Sequence, residues 1–246
     1  MRYFILCILC CWATLGNAQK LNPIHYQDKQ TQLQGLITDN VSADKPAVLI
    51  LPAWKGIDNE SRDAALALAQ EGYIVFIADI YGVNQIPTTN EAASKMSGFY
   101  KQSYNDYQHR IQLALDQLNS RIGKDQKIAI IGYCFGGTGA LEAARGQLNV
   151  AGVVSIHGGL ARDSKREIKP IKTKVLIEHP ANDKSVTKQD YDNIINELNQ
   201  GNADWQIITY ANCGHTFTNP ESADYNPTMA TRAWKHTLLF LSEVLK

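Results

Sequence analysis

The run Ile128-Ala129-Ile130-Ile131-Gly132-Tyr133-Cys134-Phe135-Gly136-Gly137 decides the reading of this chain. Its first four residues are apolar and largely β-branched, as in a buried strand. After Gly137 comes Thr138-Gly139-Ala140-Leu141-Glu142-Ala143-Ala144-Arg145, a helix-like segment. Strand, tight glycine turn and helix, in that order, form the context a nucleophile elbow requires. The usual central residue of the elbow is serine. Here it is Cys134, so acyl-transfer chemistry with a thiol is expected.

Outward from this turn, short apolar runs alternate with helix-period segments. The expected strands are Ala47–Leu51, Tyr73–Ala78, Lys127–Ile131, Val150–Ile156, Lys174–Glu178 and Trp205–Tyr210. The expected helices are Asn59–Gln70, Tyr104–Ile122, Gly137–Arg145, Thr187–Asn199 and Thr228–Leu245. Such alternation predicts a single α/β domain, a mostly parallel sheet with helices on both faces. Ahead of it, His25–Gln30 and Gln34–Thr38 are expected to pair as an antiparallel hairpin at the sheet edge. No internal repeat, linker or low-complexity segment interrupts the pattern.

The chain has 246 residues and balanced charge, 24 Lys and Arg against 24 Asp and Glu. That balance gives no reason to expect nucleic acid or an acidic membrane surface as a partner. The most basic stretch, Arg162 to Lys174, carries six cations against two acids and reads as a solvated loop before a strand.

The first residues form a separate unit. Arg2 is followed by an apolar run from Tyr3 to Leu15, then by Gly16-Asn17-Ala18. Small residues at that point predict a secretory signal peptide, residues 1–18, cleaved after Ala18 and leaving a domain of residues 19–246. The alternative is a retained anchor, but the run is shorter than the roughly 20 residues a span needs. The protein is therefore expected to be exported, periplasmic or secreted, with no membrane association after cleavage. Three of its five cysteines, Cys7, Cys10 and Cys11, would leave with the signal. Cys134 and Cys213 remain, too few for a disulfide framework, in a compartment that oxidises thiols.

In parallel α/β sheets, sites lie at the carboxyl ends of strands. Three reactive types fall there: Cys134, Asp183 in His179-Pro180-Ala181-Asn182-Asp183, and His215 in Asn212-Cys213-Gly214-His215. Nucleophile, acid, histidine is the chain order that α/β-hydrolases use. A helix N-terminus stabilises a thiolate by only about 0.3–1 kcal/mol, usually under one pKa unit, so an imidazolium partner is needed. His157 and His179 also sit at strand ends and compete for that role; chain order favours His215. Asp183 also suits a plain turn. The backbone N–H groups of Phe135 and Trp54 are the expected oxyanion hole. Tyr81, Tyr133, Trp54 and Phe135 are expected to line an apolar pocket. His157 is expected in the pocket wall or behind the reacting groups, and Asn84–Tyr104, irregular and then polar-helical, as a lid. Cys213 reads as packing, with a regulatory disulfide to Cys134 as the alternative. No HxxxH, CxxC, GxGxxG or P-loop pattern occurs, so no metal site is expected.

These residues resemble the dienelactone hydrolase family of the α/β-hydrolase superfamily. The resemblance is carried by Gly132–Gly137, Ala78-Asp79-Ile80-Tyr81-Gly82, Ser155-Ile156-His157-Gly158-Gly159, Ala181-Asn182-Asp183 and Gly214-His215-Thr216-Phe217. It implies Cys134 as nucleophile, Asp183 as acid and His215 as base. It also implies hydrolysis of a small-molecule ester or lactone without a metal or organic cofactor. Two positions depart from the family's pattern. Ala53 stands where dienelactone-opening members resemble one another in a glutamate that interacts with the resting thiol. Asn219 stands where they carry an arginine that clamps the substrate carboxylate, and no arginine occurs between Tyr81 and His109. A carboxylate without its bidentate arginine binds poorly. A neutral ester, lactone or acylated carbohydrate is therefore expected rather than dienelactone. A non-catalytic ligand-binding or thiol-sensor protein on the same scaffold is the alternative; the oligomeric state stays open.

Overall fold

The computed structural model describes residues 19–246; the expected signal peptide, residues 1–18, lies outside them. Eight strands form one sheet: β1 (Leu21–Asp28), β2 (Thr31–Thr38), β3 (Ala47–Leu51), β4 (Ile74–Ile77), β5 (Ile128–Tyr133), β6 (Gly152–Ile156), β7 (Lys174–Pro180) and β8 (Trp205–Tyr210). Six helices accompany it: α1 (Asn59–Gln70), α2 (Asn90–Gln102), α3 (Tyr104–Asn119), α4 (Phe135–Arg145), α5 (Lys188–Gln200) and α6 (Pro227–Val244). The strand order is β1-β2-β4-β3-β5-β6-β7-β8. The strands from β4 to β8 in that order pair in parallel. The hairpin β1–β2 joins antiparallel along the edge at β4. It is longer than expected, because polar residues such as Asn22 and Gln32 sit within its ladder.

Strict side-chain alternation divides the core into two layers. Leu49, Leu51, Ile128 and Ile130 pack with Tyr107, Ile111, Leu118 and Leu141 of α3 and α4. Val48, Ile50, Ala129 and Ile131 pack with Ala65 and Leu68 of α1 and Leu241 of α6. Burying each such aliphatic side chain contributes about 1.5–3 kcal/mol, and both faces of the parallel strands are covered, as these sheets require.

Helix starts are fixed by side chains. Asp58 and Ser61 form a reciprocal capping box on α1, and Thr187 and Asp190 form another on α5. Asn226 caps α6 ahead of Pro227. The cap of α4 is Cys134, whose side chain makes no capping bond, so the thiol stays available. The far end of α4 is the opposite case. Arg145 donates to Glu142, to both oxygens of Glu197, and to the Leu160 and Ala161 carbonyls. Arg162 and Arg166 add pairs to Glu197 and Glu142, which ties the loop after β6 to α4 and α5.

Candidate active site

The turn between β5 and α4 forces backbones together. A Cβ at Gly132 would lie 1.9 Å from the Gly136 oxygen, and one at Gly136 would lie 1.9 Å from the Leu51 oxygen. Only glycine fits either position. Cys134 takes up the sharpness of the turn, with φ 52° and ψ −109°. This left-handed conformation is strained for a side-chain-bearing residue and is imposed by the packing around it.

Three expected residues meet there. His215 Nε2 lies 3.1 Å from Cys134 Sγ, and His215 Nδ1 lies 2.8 Å from Asp183 Oδ2. Asp183 Oδ1 also accepts from the Ser185 amide at 2.8 Å and the Ser185 hydroxyl at 2.6 Å. The Ser185 oxygen lies 3.2 Å from His215 Nδ1. The two loops are joined by the backbone as well, since the Asn182 amide donates to the Cys213 carbonyl at 2.9 Å. Ser185 was not among the expected residues; a serine two positions beyond an aspartate is ordinary turn chemistry.

The electrostatics follow from these contacts. Burial raises Asp183, but hydrogen bonds from His215 and Ser185 outweigh it and hold the carboxyl at about 2. Burial lowers His215, but its bonds to Asp183 and Cys134 outweigh that and lift it to about 10. The imidazole is thus held as a cation facing the sulfur. His157 is 1% exposed, and burial followed by repulsion from His215 pushes it down to about 3. It therefore stays neutral beside the cation. His179, the other competitor, packs against Tyr191, the rings tilted and their centroids 5.0 Å apart.

The aromatic residues take a different arrangement from the expected pocket wall. Phe135 is 1% exposed and stacks between Tyr107, at 4.5 Å, and Tyr81, at 5.6 Å. The Tyr107 hydroxyl donates to the Phe135 carbonyl, and the Tyr81 hydroxyl donates to the Trp54 carbonyl, both at 2.9 Å. This stack holds the backbone of the two residues expected to supply the oxyanion hole. Their N–H groups donate to no acceptor among the described residues. Tyr133 corrects the expectation further: its side chain follows the alternation of β5 and packs into the α1 and α6 layer, on the other side of the sheet from Tyr81. His157 is buried behind Cys134 rather than lining a pocket, its ring edge-on to His215 at 5.2 Å. The expected lid is anchored by Tyr100 of α2, which packs against Tyr81, Tyr107 and Phe135. Cys213 is fully buried, its thiol pushed up by burial and donating to the Ala211 carbonyl. Both cysteines are free thiols.

Known proteins share this arrangement of layers. The model of the dienelactone hydrolase family matches residues 33–245. A protein of Bradyrhizobium sp named as a probable 2-oxo-3-(5-oxofuran-2-ylidene)propanoate lactonase is 25% identical over 238 residues, covering 86% of this chain and 89% of that one. The crystal structure of a dienelactone hydrolase-like promiscuous phosphotriesterase from metagenomic libraries superposes with a TM-score of 0.86 at 28% identity, covering 93% of this chain and 100% of that chain. A structure titled m3DLH gives the same TM-score and coverage at 29% identity. A match that runs from β2 to the end of α6, on an α/β-hydrolase fold, places this chain in the dienelactone hydrolase family, as a hydrolase of its ester- and lactone-cleaving type.

Proposed function

We propose that this protein hydrolyses a neutral carboxylic ester or lactone through a thioester on Cys134. The observation that carries the reading is the contact of 3.1 Å between Cys134 Sγ and His215 Nε2, backed by the 2.8 Å contact from His215 Nδ1 to Asp183. The thiolate sulfur attacks the carbonyl carbon, and the π pair moves onto oxygen. The Phe135 and Trp54 amides hold that oxyanion, a service worth about 2.7–4 kcal/mol per donor in comparable sites. As the carbonyl re-forms, the C–O bond to the leaving group breaks, and His215 gives its proton to the departing alkoxide. His215, now neutral, takes a proton from water as the water oxygen attacks the thioester. Collapse of the second oxyanion breaks the C–S bond, frees the acid, and restores thiolate and imidazolium. Asp183 keeps the imidazole in the tautomer this sequence needs.

A cleft of about 450 Å³ is bordered by Ser185, which touches His215, and by Thr138 and Glu142 of α4; Cys134, Asp183 and His215 are not in its lining. Its cations Lys101, Arg162 and Arg166 are matched by Glu142, Asp163 and Asp190. The uncharged substrate is supported by Ala53 and Asn219, which stand where the family resemblance implies a thiol-facing glutamate and a carboxylate-clamping arginine.

The test is turnover of p-nitrophenyl acetate, with intact-mass detection of an acyl adduct on Cys134, in the wild type, Cys134→Ala and Cys213→Ala. Turnover lost only in the first supports the reading. A stoichiometric burst without turnover overturns it in favour of a binding or sensing protein, and equal loss in both variants points to a redox pair.

A further inference from the structure

The Cys134 amide donates twice, to the Ile156 carbonyl and to His157 Nδ1, each at 3.1 Å. A ring nitrogen that accepts carries no proton, so the His157 proton sits on Nε2. That N–H points at Thr218 Oγ1, 3.0 Å away. The Thr218 hydroxyl in turn donates to Glu60 Oε1 at 2.6 Å. Burial pushes the Glu60 carboxyl up to about 7, and the Thr218 hydroxyl bond opposes the rise. With Glu60 ionised, every proton in this chain of groups has one direction. Its members also come from three different places. Glu60 lies in the first turn of α1, just after the Trp54 loop; His157 directly follows β6; Thr218 follows His215 by three residues.

We propose that Glu60, Thr218 and His157 form a hydrogen-bonded strut that fixes the Cys134 turn relative to the His215 loop, making all three positioning residues for the reaction. Cys134 and His215 are 81 residues apart in sequence, and their loops meet only at the sheet's carboxyl edge. The strut bridges them from behind. It runs from the nucleophile's own amide to the segment that carries the base. His157 also packs edge-on against His215, so holding His157 in place limits where the imidazole can swing. Because His157 is neutral, this contact adds no second cation beside His215. None of the three needs to touch the substrate.

The proposal rests on the hydrolase reading above, so its test includes a measurement that needs no substrate turnover. Thr218→Val removes the hydroxyl with little change of shape. Its expected effects are a kcat lower by about 10–100-fold, the scale of loss for a misplacement of about an ångström, with KM within about twofold. Iodoacetamide alkylation of Cys134 in the resting enzyme should slow as well. Thr218→Ser, which keeps the hydroxyl, should recover most of both. Glu60→Leu removes the acceptor from the other end of the strut and should reproduce the Thr218→Val defects, which keeps the test intact if that variant folds poorly. Wild-type kcat and alkylation rate in Thr218→Val and Glu60→Leu would overturn the strut, as would a Thr218→Ser enzyme as impaired as Thr218→Val. Absence of ester turnover in the wild type would instead count against the hydrolase reading, and the alkylation rates would still decide the strut.

Discussion

The two ends of α4 handle their polar groups in opposite ways. At the carboxyl end, Arg145 has all five guanidinium hydrogens engaged, by two carboxylates and two carbonyls. At the amino end, Cys134 leaves the helix uncapped, adopts a left-handed φ of 52°, and faces a histidine instead. One end is closed and satisfied. The other keeps N–H groups and a sulfur uncommitted. A buried ion cluster whose every donor is engaged resists change, whereas reactive chemistry needs valences left open. A single short helix of 11 residues holds both.

The comparison can be broken at several points. Cys134→Ala should have the largest effect, removing turnover by about 10⁵–10⁶-fold, while leaving the thermal midpoint within a few degrees, because His215, the partner that loses the sulfur, is partly exposed and keeps its bond to Asp183. Activity above that residual level, read in an ester assay, would show that the open end is not where the chemistry lies. Asp183→Asn comes next, with kcat expected to fall by about 10⁴-fold. It also bears on pH. In the proposed mechanism imidazolium is the proton donor to the leaving group, so wild-type kcat should decline as pH rises through about 10, while alkylation of the sulfur does not. Asp183→Asn should move that decline to lower pH. The stability tied to the raised His215 is fully present below its ordinary 6.5 and is lost as pH rises through about 10.

At the closed end the expected effect is on folding rather than rate. Arg145→Met leaves Glu142 and Glu197 without their shared cation, a loss of about 3–5 kcal/mol. Urea unfolding should show it, with kcat per alkylatable Cys134 within about threefold of wild type. A large drop in kcat per site would mean that the two ends of α4 are coupled. Cys213→Ala is the smallest: about 1 kcal/mol of stability and turnover within about twofold.

Much of this was legible in the sequence, and what was not has physical reasons. Continuous apolar strands, the Gly132–Gly137 turn and the strand-end placement of Asp183 and His215 follow from local pattern. Strand β5 runs two residues past the expected end because Gly132 and Tyr133 continue the ladder with β6. Tyr133, expected to share a pocket with Tyr81, is in phase with Ala129 and Ile131 and packs in the opposite layer; alternation along β5 carries that information. Phe135 and Tyr81 are expected to meet a ligand, but the Phe135 ring stacks on Tyr107 and Tyr81, whose hydroxyls donate to the Phe135 and Trp54 carbonyls; that arrangement is visible only once Tyr107 is seen beside them. Glu60, Thr218 and Ser185 carry no motif. Their significance comes from which loops the sheet brings to one edge, and a polar residue in a helix start or turn looks the same whatever it faces.

The glycine packing at the elbow also bears on how this enzyme can change over generations. Side chains at Gly132 or Gly136 would collide with backbone oxygens, and those atoms cannot give way without moving the strand or helix to which they belong. Cys134, by contrast, directs its sulfur outward to His215 and caps nothing. Exchanging that one atom for oxygen alters reactivity and leaves the turn as it was. If Cys134 is the nucleophile as proposed, a lineage built on this scaffold can vary its reacting atom in a single step, while the glycines that never touch substrate are the ones it is bound to inherit.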